Sequence, residues 1–124
     1  EVLVSRQYVG VYHFLAVRKE LVDNGTVRGA QCKATGCGIL GHGNKGAIST
    51  SLVVYDSSLC FVCSHLAAGA AHVARRKMDQ QAILKNTVFS GTQKRGVVKE
   101  DSGEGSEMKA NSSVMLIEDH DIVF

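Results

Sequence analysis

Three groups of residues in this sequence have types and spacings suited to handling a phosphate. Asn44 and Lys45 stand in the run Gly43-Asn44-Lys45-Gly46, where a lysine offers a compact point charge to a phosphate oxygen. Ser64 and His65 close the apolar run Leu59-Cys60-Phe61-Val62-Cys63. Polar residues at the end of a buried strand commonly wall an active site, because the rigid sheet fixes where they point. Arg75-Arg76-Lys77 follows His65 closely enough to steer an anion towards it. Each group also has a plain structural reading. The Asn44-Lys45 pair fits a turn with a solvated lysine, His65 fits a strand cap, and Arg76 fits an ion pair with Asp79 at i,i+3.

The stretch from Thr35 to Ala68 must position these groups. It reads as a glycine-rich loop that lets backbone approach a ligand closely, then a strand over Ile48–Val54. A turn at Asp56-Ser57-Ser58 follows, and Leu59–Cys63 pairs back as a second strand. Upstream, Val9, Val11, Leu15 and Val17 alternate with Gly10, Tyr12, Phe14 and Ala16. Both faces of that run are apolar, which predicts a central strand covered on both sides. His13 lies on one of those faces and is expected to be a core histidine with a backbone partner. Arg18–Asp23 suggests a helical turn, Asn24-Gly25 a reversal, and Val27–Thr35 a strand that feeds the glycine loop.

Downstream, Ala71–Phe89 reads as a helix whose buried stripe is Ala74, Met78 and Ala82, widened by Ile83. Residues 90–113 are polar and rich in Gly, Ser, Lys and Glu, the composition of a mobile surface insertion. Val114–Phe124 turns apolar again and supplies one more strand.

Several function classes fall away. The net charge of +2 is too small to argue for nucleic acid. No apolar run approaches the roughly 20 residues that span a bilayer. Cys60 and Cys63 have zinc-knuckle spacing, but Phe61-Val62 continues a strand and would aim the two sulfurs to opposite faces. Together with Cys32 and Cys37 they read as buried, reduced thiols, consistent with a cytoplasmic protein. Gly36-Cys37-Gly38-Ile39-Leu40-Gly41 matches the dinucleotide fingerprint by letter. That fingerprint works only where a helix follows to hold the pyrophosphate, and here a strand follows.

Five blocks in order resemble the inositol polyphosphate 5-phosphatase family. Its GNKG loop matches Gly43-Asn44-Lys45-Gly46, and its NSHLAAH block matches Cys63-Ser64-His65-Leu66-Ala67-Ala68-Gly69. Its RRNxDY helix start is similar to Arg75-Arg76-Lys77-Met78-Asp79-Gln80. Its S-x-Q-L-V-G strand is similar to Ser5–Gly10. The strand leading into WLGDLNYR resembles Asp119-His120-Asp121-Ile122-Val123-Phe124. Cys63 stands where the family has Asn, and Lys77 and Gln80 where it has Asn and Tyr.

The resemblance implies an α/β chain, residues 1–124 forming part of a DNase I-like four-layer α/β/β/α sandwich. It implies a magnesium-dependent phosphatase acting on the 5-phosphate of inositol polyphosphates or phosphoinositides. His65 would be the catalytic histidine beside the scissile phosphate, with Asn44, Lys45 and Arg76 binding substrate. The partner would be an inositol phosphate or phosphoinositide headgroup, with membranes reached only through substrate and no nucleic acid bound. The place of action would be cytoplasmic or peripheral at membranes. The family's magnesium ligands would fall upstream of Glu1 and downstream of Phe124, so no metal ligand is assigned within the chain. The chain also opens on Val2-Leu3-Val4 and stops on Ile122-Val123-Phe124 in mid-strand, as a piece of a longer domain would, and by itself it is expected to be inactive. Two alternatives remain: a non-catalytic remnant that still binds inositides, and a nuclease of the same fold.

Overall fold

The computed structural model describes residues 1–37, 44–90 and 114–124. The chain opens with two antiparallel strands, β1 (Val2–Tyr8) and β2 (Val11–Ala16), joined through Val9 and Gly10. Both linking residues have positive φ, 41° and 84°. This is the hairpin geometry whose twist matches that of the flanking strands. The single doubly covered strand expected over Val9–Val17 is therefore wrong: the chain reverses at its start. Tyr12 and Phe14, expected inside, are 60% and 56% exposed. Apolar alternation runs unbroken through the reversal because the turn uses a valine, a residue that gives no turn signal.

A short helix α1 (Lys19–Asp23) ends at Asn24, and Gly25 takes φ 74°. Strand β3 (Val27–Cys37) then leads through residues 38–43, outside the described residues, to β4 (Lys45–Val54). A two-residue turn with Tyr55 at φ 53° connects β4 to β5 (Ser57–His65). The expected turn residues Ser57 and Ser58 are already paired in β5. β4 lies between β3 and β5, antiparallel to both, and is buried without a break from Gly46 to Leu52. It is this strand, not the N-terminal one, that is covered on both faces. Ala47 belongs to a cluster with Cys37, Cys60 and Ile83 on one side. Position 46 faces Tyr8 of β1 on the other.

Helix α2 (Val73–Asn86) packs on the first of these faces. A small sheet of β6 (Val88–Ser90) and β7 (Val114–Leu116) contributes Phe89 and Met115 to the same core. The expected buried stripe on α2 is corrected. Met78 is 59% exposed and Ala74 is exposed, while Asp79 and Ile83 face inward. Spacing by four found the helix but not its inner face, because the inward residue at 79 is a carboxylate with a bonding task. The C-terminal stretch is not one strand: β7, a 3-10 turn (Ile117–Asp119) and β8 (Ile122–Val123) follow each other. β8 runs parallel to β5 at the sheet edge, with Phe124 stacked on Phe61 at 5.0 Å between ring centres. The result is an α/β chain, with a helix on one face of a mixed sheet and a hairpin on the other. The insertion expected at 90–113 lies outside the described residues except for Ser90. No helix among the described residues is long and apolar enough to cross a membrane.

All four cysteines are free. Cys37 and Cys60 are buried, but Cys32 and Cys63 are only half-buried, which corrects the reading of four buried thiols. Burial pushes the Cys60 thiol up to about 11 and raises that of Cys37, where the Asp79 carboxylate adds to the effect. The thiolate is the reactive form. Alkylation of the folded chain is therefore expected to modify Cys32 and Cys63, and to reach Cys37 and Cys60 only after unfolding, as read by mass spectrometry of peptides.

The Nε2 of His13 is buried and, among the described residues, lacks the hydrogen-bond partner expected for it. Desolvation lowers its pKa. Between the folded and unfolded values the unfolded chain binds more protons, so stability falls as pH drops through the unfolded value. From about pH 7.5 to about pH 5 the wild type should lose more thermal stability than His13→Leu, spanning the ordinary histidine pKa of about 6.5. Equal losses in the two proteins would show that His13 titrates freely when folded.

Candidate active site at the end of the central strands

The register between β4 and β5 sets Gly46 opposite His65, so Lys45 and His65 emerge together where the two strands end. Gly46 cannot be replaced cheaply. A Cβ there would lie 2.4 Å from the Thr35 carbonyl oxygen and 3.0 Å from Tyr8 Cε1. Lys45 Nζ is 2.8 Å from His65 Nε2, and His65 Nδ1 is 2.7 Å from the Val9 carbonyl oxygen. A carbonyl can only accept, so Nδ1 carries the proton and donates it to Val9. In the neutral ring Nε2 is then the acceptor, and the Lys45 ammonium donates to it. The neutral ring cannot donate from Nε2; it must first gain a proton, after which both nitrogens are donors. A cation and an imidazole that converge on one point can together bind an anion.

The backbone after His65 is clamped by the start of α2. Arg76 donates from Nη1 to the carbonyls of Ala67 at 3.2 Å and Gly69 at 2.6 Å. Asp79, 3% exposed, accepts from the Ala67 N–H at 3.0 Å. Its other oxygen takes the Arg75 Nε at 3.3 Å. The Arg76–Asp79 ion pair is thus corrected: Arg75 is the partner, one turn away at i,i+4. Of the four residues singled out by sequence, Lys45 and His65 meet directly. Asn44 is exposed at the entry to β4, and Arg76 holds the loop that follows His65.

Two features escaped the sequence reading. The Val9 carbonyl belongs to the backbone and carries no residue-type signal. Ser51 and His120 form a buried pair, Oγ to Nε2 at 2.7 Å, with His120 Nδ1 donating to the carbonyls of Leu116 and Ile117. This pair ties the middle of β4 to the C-terminal turn. Asp121 ties the same segment to β5, accepting from Ser58 N at 2.8 Å and from Ser58 Oγ at 2.7 Å.

Among the described residues no three His, Cys, Asp or Glu side chains converge as a metal shell. Cys60 and Cys63, three apart on β5, pair with Ser51 and Ile48 and so face opposite sides of the sheet. The described residues therefore do not fit a divalent ion by themselves, and no step is assigned to one.

Removing Asp79 would strand the part-buried Ala67 N–H and free Arg75. Hydrogen bonds to a charged group contribute about 1.5–3 kcal/mol, so Asp79→Ala should destabilise the chain by that order. Arg76→Ala, losing bonds to more exposed carbonyls, should cost about 1 kcal/mol. Denaturant melts of both variants test the ranking. The reverse order would mean that the clamp is held chiefly by Arg76.

Comparison with known proteins returns a consistent picture. A family model described as Endonuclease/Exonuclease/phosphatase family 2 matches residues 1–124. Type I inositol polyphosphate 5-phosphatase 2 of Arabidopsis thaliana is 38% identical over 91 residues, covering 71% of this chain and 14% of that protein. Type I inositol polyphosphate 5-phosphatase 8 of the same plant is 40% identical over 93 residues, covering 73% and 19%. The crystal structure of the inositol polyphosphate 5-phosphatase domain of spSynaptojanin, in complex with inositol (1,4)-bisphosphate and calcium ion, superposes with a TM-score of 0.62 at 28% identity. That match covers 70% of this chain and 24% of the other. The chain thus spans less than a quarter of each of these relatives. The resemblance read from the five motifs holds, and the DNase I-like α/β fold with it.

Proposed function

Because the chain belongs to the endonuclease/exonuclease/phosphatase family 2, we propose that it supplies one wall of the active site of a phosphatase acting on the 5-phosphate of inositol polyphosphates or phosphoinositides. The observation that carries this reading is the Lys45–His65 pair at the ends of two rigid strands. The relatives' names and the inositol (1,4)-bisphosphate bound by the similar domain support the substrate class.

In this reading Lys45 attracts the phosphate as a point charge, and Asn44 lines the approach. A phosphate oxygen that enters competes with His65 for the Lys45 protons. His65, once protonated, donates from Nε2 to an oxygen on which charge develops, while Nδ1 stays bonded to Val9. Arg76 acts through the loop backbone after His65, and the substrate contact expected of it would be made from that position. Magnesium, proposed as the metal of the whole enzyme, would be held by residues other than the described ones. The site would reach a membrane only through a phosphoinositide headgroup, on the cytoplasmic side.

The test uses a catalytic domain of the relatives' length that carries this sequence. Loss of a donor to developing charge costs about 10²–10³-fold in kcat, so His65→Ala is expected to fall by that factor with KM little changed. Lys45→Ala should raise KM more than it lowers kcat, since a ground-state phosphate contact is uniform binding. Wild-type turnover by a folded His65→Ala enzyme would leave the histidine a structural cap. Binding without turnover by the wild type would favour the remnant, and cleavage of DNA in place of inositol phosphate would favour the nuclease.

A further inference from the structure

The reversal between β1 and β2 is an unusual one. Hairpin turns with two positive φ values favour Asn-Gly or Gly-Gly, because those residues tolerate the left-handed region. Here the first position is a β-branched valine at φ 41°, where such a residue is a genuine outlier. Strain of this kind persists where the surroundings over-determine it, and it gathers at functional sites. The second position, at φ 84°, is Gly10. A Cβ on Gly10 would lie 3.1 Å from His65 Nδ1 and 3.4 Å from its Cε1. The turn thus lies directly against the imidazole edge that carries Nδ1, and the Val9 carbonyl fills the hydrogen-bonding position there at 2.7 Å.

We infer that the Val9–Gly10 turn is the positioning element of His65, fixing through the Val9 carbonyl which ring nitrogen faces Lys45 and the substrate. An acceptor-only group at Nδ1 excludes the tautomer with its proton on Nε2 alone. It remains bonded whether the ring is neutral or protonated. Nε2 is therefore always the nitrogen that is free to gain and give a proton, and the ring does not rotate when its charge changes. A carboxylate often plays this part beside a working histidine, as in the serine-protease triad. A backbone carbonyl orients the ring without adding a negative charge beside a phosphate. That role explains why the turn needs Gly10 for space as well as for conformation. Gly46, opposite His65, excludes a side chain between Tyr8 and Thr35 and lets β1 lie close enough for its turn to reach the ring. The inference rests on the proposed role of His65 for its catalytic meaning, but its structural content is measured independently of any activity.

The experiment is nitrogen-detected NMR of the full 124-residue chain with labelled histidine, its His65 signals assigned by comparison with His65→Gln. Near neutral pH the wild type should show His65 protonated on Nδ1, with a scalar coupling across the hydrogen bond to the Val9 carbonyl carbon. A ring protonated on Nε2 instead, or no such coupling, overturns the inference. Val9→Gly keeps the carbonyl and removes only the side chain, so it should retain both signatures; a folded variant that loses them would assign the ring's orientation to valine packing instead. Gly10→Ala, which intrudes on the ring, should yield the Nε2-protonated tautomer or a mixture. Unaltered His65 signals in a folded Gly10→Ala chain would also overturn it. Should that variant fail to fold, the wild-type and Val9→Gly spectra decide the matter. Intact signatures in a protein whose longer form does not process inositol phosphates would sink the proposed function and leave this inference standing.

Discussion

The pairing of β4 on both of its edges while both of its faces are covered is the constraint on which the rest depends. A strand so enclosed has no solvent side, so its register with β3 and β5 cannot slip without sending every side chain to the wrong face. Ile48 and Leu52 fill one side, and Ala47 joins the Cys37–Cys60–Ile83 cluster on the other. Ser49 and Thr50 are fully buried, with hydroxyls that have no hydrogen-bond partner among the described residues. Small residues are accepted there because neighbouring layers must come close, and the hydroxyls are an energetic cost of that closeness. Once the register is fixed, His65 can stand in only one place, opposite Gly46.

Two elements far apart in sequence then converge on the end of β5 from opposite faces of the sheet. On one side, the first turns of α2 hold the backbone after His65 through Asp79 and Arg76. On the other, the β1–β2 reversal meets the imidazole itself. The clamp fixes where the strand ends, and the turn fixes how the ring is oriented. The turn engages the ring through Nδ1 and leaves Nε2 on the Lys45 side, so the polar edge of the site stays available to a ligand.

The electrostatics of this edge are simple. Lys45 supplies the positive charge next to the ring. Asp79, the buried carboxylate nearby in sequence, is turned away into the Ala67 N–H and the Arg75 guanidinium. An incoming phosphate would meet a cation and an imidazole rather than a competing anion. What the described residues do not provide is a metal shell. The chain spans 14% to 24% of the relatives compared above, and the wall proposed for it would be one part of a larger site.

The sequence by itself determined the order of most elements, the pairing of the two central strands and the family, and it singled out Lys45 and His65 as candidates. Those features are carried by residue types at fixed separations: alternation over Ile48–Val54, a charge after Asn44, a polar end to an apolar run. Only the tertiary structure decided which strand is central, which face of α2 is buried and what each arginine does. The N-terminal run looked continuous because valine in a left-handed turn is indistinguishable by type from valine in a strand. Met78 looked like core because apolar spacing cannot register a carboxylate turned inward to satisfy an N–H of another segment. Arg75 and Arg76 are adjacent and alike, and which one meets Asp79 depends on where the Ala67–Gly69 carbonyls lie. The Val9 carbonyl that orients His65 is backbone, present at every position, and only the fold brings that one to the ring.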